Sequence, residues 1–426
     1  MHFSIKVIET LSIFVLTLFL LLRKPMGLNE AWATIIGAIL MLLLGLTTVA
    51  QSVASISESS NVLLFLLALM LFSALLDRAG FFEWAAILAA KSAAGDASAL
   101  YRNLFILGAI TTTILSLDTT AIILTPIVVA SVQRLKLNAY PFLLACAFVA
   151  NSGSLLFPIS NLTNLLFQDA FHYSFISFTA IMLLPQLAVL LLNYWAFRIL
   201  FKKHIPATFD ENLLPSALSA VPDKPYFIGA ITVLGAVIIG YFATSLYRLH
   251  PFVIASAGTV LLLFWAIVRK QIDRKIVNDI SWSVFPFVIG LFVVVRGIEN
   301  IGIAEFATQS MTHADCKKLL DIGIVMTGTA LGSNMINNIP MALLATSILK
   351  HAHSCLINQY AALIGCNIGA NLTITGSLAT MLVITSARKK GEDIKPLDFA
   401  RIGLIITPIL IVGSSIAIYL IAPFIH

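Results

Sequence analysis

Residues 151–166 read NSGSLLFPISNLTNLL, and residues 367–382 read NIGANLTITGSLATML. Each stretch opens on an asparagine, carries amides, hydroxyls, glycine or proline through its middle, and turns apolar at its end. Inside a bilayer no water satisfies the backbone groups that such a break frees, so an interruption there is costly and needs a reason. The same kind of interruption occurs twice, 216 positions apart. That points to a membrane-embedded chain built as a repeat.

The surrounding composition fits a membrane. Of 426 residues, 59% are hydrophobic and only 11% are charged, where a soluble domain carries about 25% charged residues. Runs such as AWATIIGAILMLLLGLTTVA and PFVIASAGTVLLLFWAIV are long enough to cross a bilayer. The fold class is therefore an all-α polytopic membrane protein. A porin-like barrel is excluded, because its strands alternate apolar and polar residues and give no such runs.

About ten transmembrane helices are expected, near 5–22, 31–50, 61–77, 141–167, 175–200, 226–246, 251–269, 282–298, 358–387 and 401–424. Two more apolar regions, 103–133 and 321–350, are too short for two crossings each and are broken near the middle. They are expected as re-entrant hairpins, which are tolerated where protein buries the tip. Arg23 and Lys24 follow the first apolar run rather than precede it, so that run reads as a retained span and not a signal peptide.

The repeat extends beyond its breaks. LDRAGFFEW (76–84) matches IENIGIAEF (298–306), and SLDTTAIIL (116–124) falls opposite MINNIPMAL (335–343), which sets Asp118 against Asn337 and Thr119 against Asn338. Five crossings per half is an odd number, so the two repeats are inverted (5+5), each with a hairpin and a broken helix. The expected division is 1–205 for the first repeat, a cytoplasmic linker at 206–225, and 226–426 for the second. With both termini outside, 20 of the 26 basic residues fall on the inner side. The net charge of +6 thus reports topology and not a nucleic-acid partner.

The polar residues left in the apolar background carry the chemistry. Asp118, Thr119 and Thr120 would form one hairpin tip, and Asn334, Asn337 and Asn338 the other, with Pro126 and Pro340 limiting helix continuity nearby. The breaks would present Ser160 and Asn161 on one side and Gly376 and Ser377 on the other, with Asn151, Ser154, Asn367 and Asn371 just upstream. Interrupted helices aim half-helix ends and bare carbonyls at a common volume near the midplane, where secondary transporters hold a small solute or ion. Alternatively, these amides and hydroxyls only satisfy backbone at the breaks. Asp118 is the one acid deep within these four elements. Desolvation disfavours a carboxylate's charged form, which makes Asp118 the candidate proton carrier. The other reading is a permanent charge paired with a neighbouring amide or hydroxyl.

Other groups read as structural. Asp77, Arg78, Glu83, Glu299 and Glu305 fall in short amphipathic stretches and read as interfacial. Cys146, Cys316, Cys355 and Cys366 show no CxxC spacing and read as packing residues. His351 and His353 lack the partners of a metal site. Without GxxxxGK[ST], a nucleophile elbow or HExxH, the chain reads as a carrier and not an enzyme. It calls for no cofactor.

LDRAGFFEWAA, the DTTAIILTPIV run, the SNLTNLL run, the MINNIPM motif and the NIGANLTITGSLATML stretch together resemble the ArsB-type arsenite/antimonite efflux permeases, over nearly the whole chain and in order. That resemblance implies arsenical resistance through export of neutral arsenite or antimonite across the inner membrane in exchange for protons, with a separate soluble ATPase as a candidate partner. It carries Asp118, Thr119, Thr120, Ser160, Asn161, Asn337, Asn338, Gly376 and Ser377 over as motif positions. A neutral trihydroxy solute suits amides, hydroxyls and carbonyls. Cys146 or Cys366 would offer it a soft ligand. The chain departs from the family at Leu117, where an Asn is common, and at Asn151 and Asn367, where some members carry acids. These departures leave Asp118 as the main acid. The alternative within the same superfamily is a Na⁺/H⁺ antiporter or a Na⁺-coupled carboxylate carrier.

Overall fold

The computed structural model describes residues 5–247, 249–278, 280–302 and 318–424; Glu305 and Cys316 lie outside them. The described residues are helical, apart from loops and one isolated bridge between Asp96 and Thr208.

The first half runs α1 (Ile5–Arg23), α2 (Glu30–Leu43), the short α3 (Val49–Glu58), α4 (Ser60–Arg78) and α5 (Phe81–Lys91). Its hairpin descends along α6 (Ala97–Ile114). The return arm passes through Leu117–Thr119 and a π-helical stretch, Thr120–Leu124, into α7 (Thr125–Arg134). The first broken helix is α8 (Tyr140–Ser152) plus α9 (Leu162–Phe171), and α10 (Phe175–Leu200) completes the half.

The second half repeats the order. It comprises α11 (Lys224–Tyr247), α12 (Pro251–Val268) and α13 (Val284–Asn300). A hairpin of α14 (Leu319–Ile336) and α15 (Asn338–His351) follows. Then come the broken helix of α16 (Leu356–Gly369) and α17 (Leu378–Arg388), and α18 (Pro396–Ile421). The described residues thus form two inverted halves, each with a hairpin and a broken helix, and seven of their helices are long and apolar enough to cross a membrane, the all-α polytopic architecture that the composition and the repeat predicted.

Local sequence explains several element starts. Asp96 caps α6 by accepting from Ser98 N at 2.7 Å and Ala99 N at 3.1 Å. Thr48 and Gln51 form a capping box at α3. Gly80, at φ 81°, turns the chain from α4 into α5 where a Cβ would lie 1.9 Å from the Ala220 carbonyl oxygen. Only glycine fits both demands.

The halves exchange partners. α2 packs against α13 of the other half, while α12 packs against α4, and α10 lies along α18. The linker side is fastened by Phe209 N donating to Gly95 O at 2.8 Å and by Arg78 pairing with Asp273 at 2.9 Å. Asp223 accepts from Arg269 at 2.7 Å, and this guanidinium, with the Tyr226 N–H, holds its carboxyl below the usual range. Gln133, at the open end of the first hairpin, donates to Glu392 at 2.9 Å on this side. On the opposite side Arg296 pairs with Glu299 at 3.1 Å, and Asn300 donates to Leu46 O at 2.9 Å. The hairpins therefore enter from opposite faces.

The first arm of each hairpin is 18 residues long, or about 27 Å of helix. The α14 arm even meets the length of a crossing. Docking rather than length sets the depth of the tips, because each tip meets the break of its own repeat's broken helix. α14 lies close against α16: a Cβ on Gly365 or Gly369 would come within 2.2 or 2.3 Å of the α14 backbone. This is small-residue packing of the kind that joins helices in lipid.

Candidate transport site

The two hairpin tips differ. In the first, Ser116 caps the return arm by accepting from Thr119 N at 3.2 Å. Thr119 Oγ1 also lies 2.8 Å from Ser73 Oγ, and Thr120 Oγ1 lies 2.7 Å from Thr112 Oγ1. Both threonines are thereby spent inside the first repeat. Asp118 is partly exposed and makes no hydrogen bond or ion pair among the described residues.

In the second tip, Asn337 caps α15, accepting from Ile339 N at 3.3 Å and donating to Thr375 O at 3.2 Å in the second break. Its backbone sits at φ 77° and ψ 153°, a region used almost only by glycine. By capping role, Asn337 corresponds to Ser116 and not to Asp118 as the sequence match set them. The first arms end at Ile114 and Ile336, keeping the upstream offset of 222 through the tip. The longer return arm of the first hairpin, with its π-helix, absorbs the difference afterwards. Asn338 is buried, and its Oδ1 has no partner.

The breaks form the centre of the molecule. Asn151 donates from Nδ2 to Asn371 Oδ1 and to Thr380 Oγ1, both at 2.9 Å. Asn161 donates to Asn367 Oδ1 at 2.9 Å and to Ser154 Oγ at 3.1 Å. Asn367 donates to Asn164 Oδ1 at 2.7 Å and accepts from Thr163 Oγ1 at 2.5 Å. Asn151, Ser154, Asn367, Asn371, Asn164, Thr163 and Thr380 are all 0% exposed. Side chains of both repeats thus interlock as a buried, uncharged set in which donors meet acceptors. The Asn151 Oδ1 is the exception and accepts nothing.

The remaining expected residues serve the backbone. Asn161 and Ser377 occupy the same place in the two repeats, as N-caps of α9 and α17, accepting from Thr163 N at 3.2 Å and Ala379 N at 3.1 Å. Their half-helix N-termini face the amide set, as an interrupted crossing requires. Ser160 donates to Thr113 O at 2.5 Å, tying the first break to α6. Gly376 sits where a Cβ would lie 2.8 Å from Ala370 O.

Sequence reasoning missed Asn164, Thr163, Thr380 and Gln186. Asn164 stood in the quoted SNLTN run. Gln186 is a lone amide in a long apolar helix, the kind of polar residue that such a setting makes informative. It accepts from Leu155 N at 2.7 Å and Leu156 N at 3.0 Å, and donates to Ser152 O at 2.9 Å.

The cysteines divide. Cys146 and Cys366 are free and buried. Cys146 lines a cavity of about 10 Å³, room for one water and not for a metalloid hydroxide. Cys355 is disulfide-bonded, against the expectation of a packing residue.

The sequence model of a family described as "Arsenical pump membrane protein" matches residues 9–421. The arsenical pump membrane protein of Yersinia enterocolitica is 33% identical over 412 residues, covering 94% of this chain and 96% of that protein. One from Escherichia coli is 30% identical over 417 residues with the same coverage. Among solved structures, the YdaH transporter of Alcanivorax borkumensis superposes with a TM-score of 0.62 at 12% identity and covers 98% of both chains, a likeness of fold.

Proposed function

From the premise that this chain belongs to the arsenical pump membrane protein family, and so is a membrane transporter of that family, we propose that it exports arsenite or antimonite across the inner membrane in exchange for protons, by alternating access. The observation that carries this reading is the interlocked amide set. It is neutral, buried and drawn from both repeats, so a solute entering between the breaks must offer its own donors and acceptors in place of theirs. As(OH)₃ and Sb(OH)₃ do so with three hydroxyls and no charge to desolvate. The proposed binding residues are Asn151, Ser154, Asn161, Asn367 and Asn371, with Asn337 and Asn338 from the second tip.

Protons are assigned to Asp118, the acid at a hairpin tip with neither ion pair nor hydrogen bond. A pH gradient alone then suffices to drive transport, and a soluble ATPase would be an added subunit. The proposed orientation puts both termini outside. The disulfide at Cys355 supports it, because the loop that carries Cys355 then faces the oxidising side.

The test uses everted vesicles containing the purified chain, an imposed pH gradient, no ATP, and As(III), Na⁺ or citrate offered separately. Arsenite accumulation that collapses with a protonophore is the expected result. Sodium or citrate movement without arsenite would replace the proposal with the alternative carrier of the same superfamily.

A further inference from the structure

The two closing helices of the repeats can be compared position by position. α10 and α18 are each 26 residues long. The twelfth residue is Gln186 in one and Thr407 in the other, each beside an internal proline, Pro185 or Pro408. Gln186 is 2% exposed and makes three hydrogen bonds to the first break, one to a carbonyl and two to N–H groups. A second polar residue of α10, Asn193, donates to Ser152 Oγ at 2.7 Å. Thr407 is 0% exposed, and its Oγ1 bonds to nothing. α18 instead meets the second break through Gly403, where a Cβ would lie 2.4 Å from Asn371 O.

One broken helix is therefore held by side chains of its closing helix, while the other meets its closing helix by contact alone and is bonded instead to the second hairpin tip, with Asn337 donating to Thr375 O at 3.2 Å and Thr373 Oγ1 donating to Asn334 Oδ1 at 2.6 Å. The held carbonyl belongs to Ser152, the residue after Asn151, and the held amides belong to Leu155 and Leu156, directly after Ser154. We infer that Gln186 is a positioning residue: it clamps the first break from α10 so that Asn151 and Ser154 are preset for the solute. The inference builds on the proposed function but concerns a residue that touches no substrate.

Gln186→Met keeps the length and apolar bulk of the side chain and loses all three bonds. Gln186→Glu, protonated in such a setting, keeps a carbonyl acceptor and gains a hydroxyl donor, so it can restore the pattern. The full-length chain in lipid nanodiscs is followed by hydrogen exchange at 153–161 and 370–377, and in vesicles by arsenite KM and kcat. Gln186→Met should speed exchange at 153–161 by about tenfold or more and raise arsenite KM by a similar factor at unchanged insertion, and Gln186→Glu should return both toward wild type. Unchanged exchange at 153–161 would overturn the clamp. Faster exchange with an unaltered KM would reduce Gln186 to a stabilising residue and overturn the positioning role. If the wild type moves no arsenite, the proposed function falls, and exchange alone then supports or overturns the clamp.

Discussion

At the scale of single residues, Asp118 and Asn337 carry the sharpest expectations. Asp118 has no partner to neutralise it, so replacing it removes a proton carrier and leaves no group orphaned. Asp118→Asn should lower pH-driven arsenite uptake by about tenfold or more. Counterflow of labelled against unlabelled arsenite needs no net proton movement and should persist. Loss of both activities would assign Asp118 to the solute instead. Asn337 holds a backbone geometry that costs about 1–3 kcal/mol for a residue with a side chain. Asn337→Gly relieves that strain while removing the cap and the bond to Thr375 O. The variant should melt in detergent no lower than wild type yet transport less, and a lower melting temperature with normal uptake would refute the assignment. That these residues matter was legible, because each is polar in a background that penalises polarity. Their partners were not. Nothing in the sequence joins Asn161 to Asn367 or Gln186 to Ser152, since an amide in a bilayer bonds to whatever the tertiary packing brings near.

Among the elements, the return arm of the first hairpin departs furthest from a regular helix. Pro126 lacks the N–H that would close an α-turn on Ile122, and its ring crowds that carbonyl. The chain widens into a π-turn just before it, with Thr125 donating from both N and Oγ1 to Thr120 O, the latter at 2.8 Å. Such widenings recur at functional sites. Pro126→Ala should let the arm wind as an α-helix and rotate Asp118 and Thr119 about its axis. A proline in a helix interior costs about 3 kcal/mol, so the expected outcome is a higher melting temperature with reduced uptake. Undiminished uptake would show that the π-turn has no part in transport. The proline was visible in the sequence, but the π-turn was not, because hydropathy reports which residues are apolar and not how many complete a turn. The same blindness put the tip alignment out of register.

On the scale of the whole molecule, hydropathy and the internal repeat revealed an all-helical membrane chain of two inverted halves. They could not reveal which helices touch. α1 and α4 have nearly equal hydropathy, 2.3 and 2.1, yet 22% of one and 61% of the other is buried. Lipid and protein are alike to an apolar side chain, so the exchange of partners between halves left no mark in composition. The proposed orientation is open to direct measurement. Single cysteines placed at His2 and His426 in a chain lacking its own cysteines should react with a membrane-impermeant maleimide in intact cells, whereas one at Ser216 in the linker should react only after permeabilisation. The reverse pattern would invert the topology. The exchanged packing also has a consequence in time. α2 finds its partner only when α13, about 250 residues later in the chain, has been synthesised, a wait of about 10–50 s at ordinary rates of translation. Until then the face that α2 will bury stands against lipid or against whatever escorts nascent helices out of the insertion machinery. Assembly of the first half is thus paced by the ribosome's progress through the second, and a stall between the two would strand a half-built carrier in the membrane.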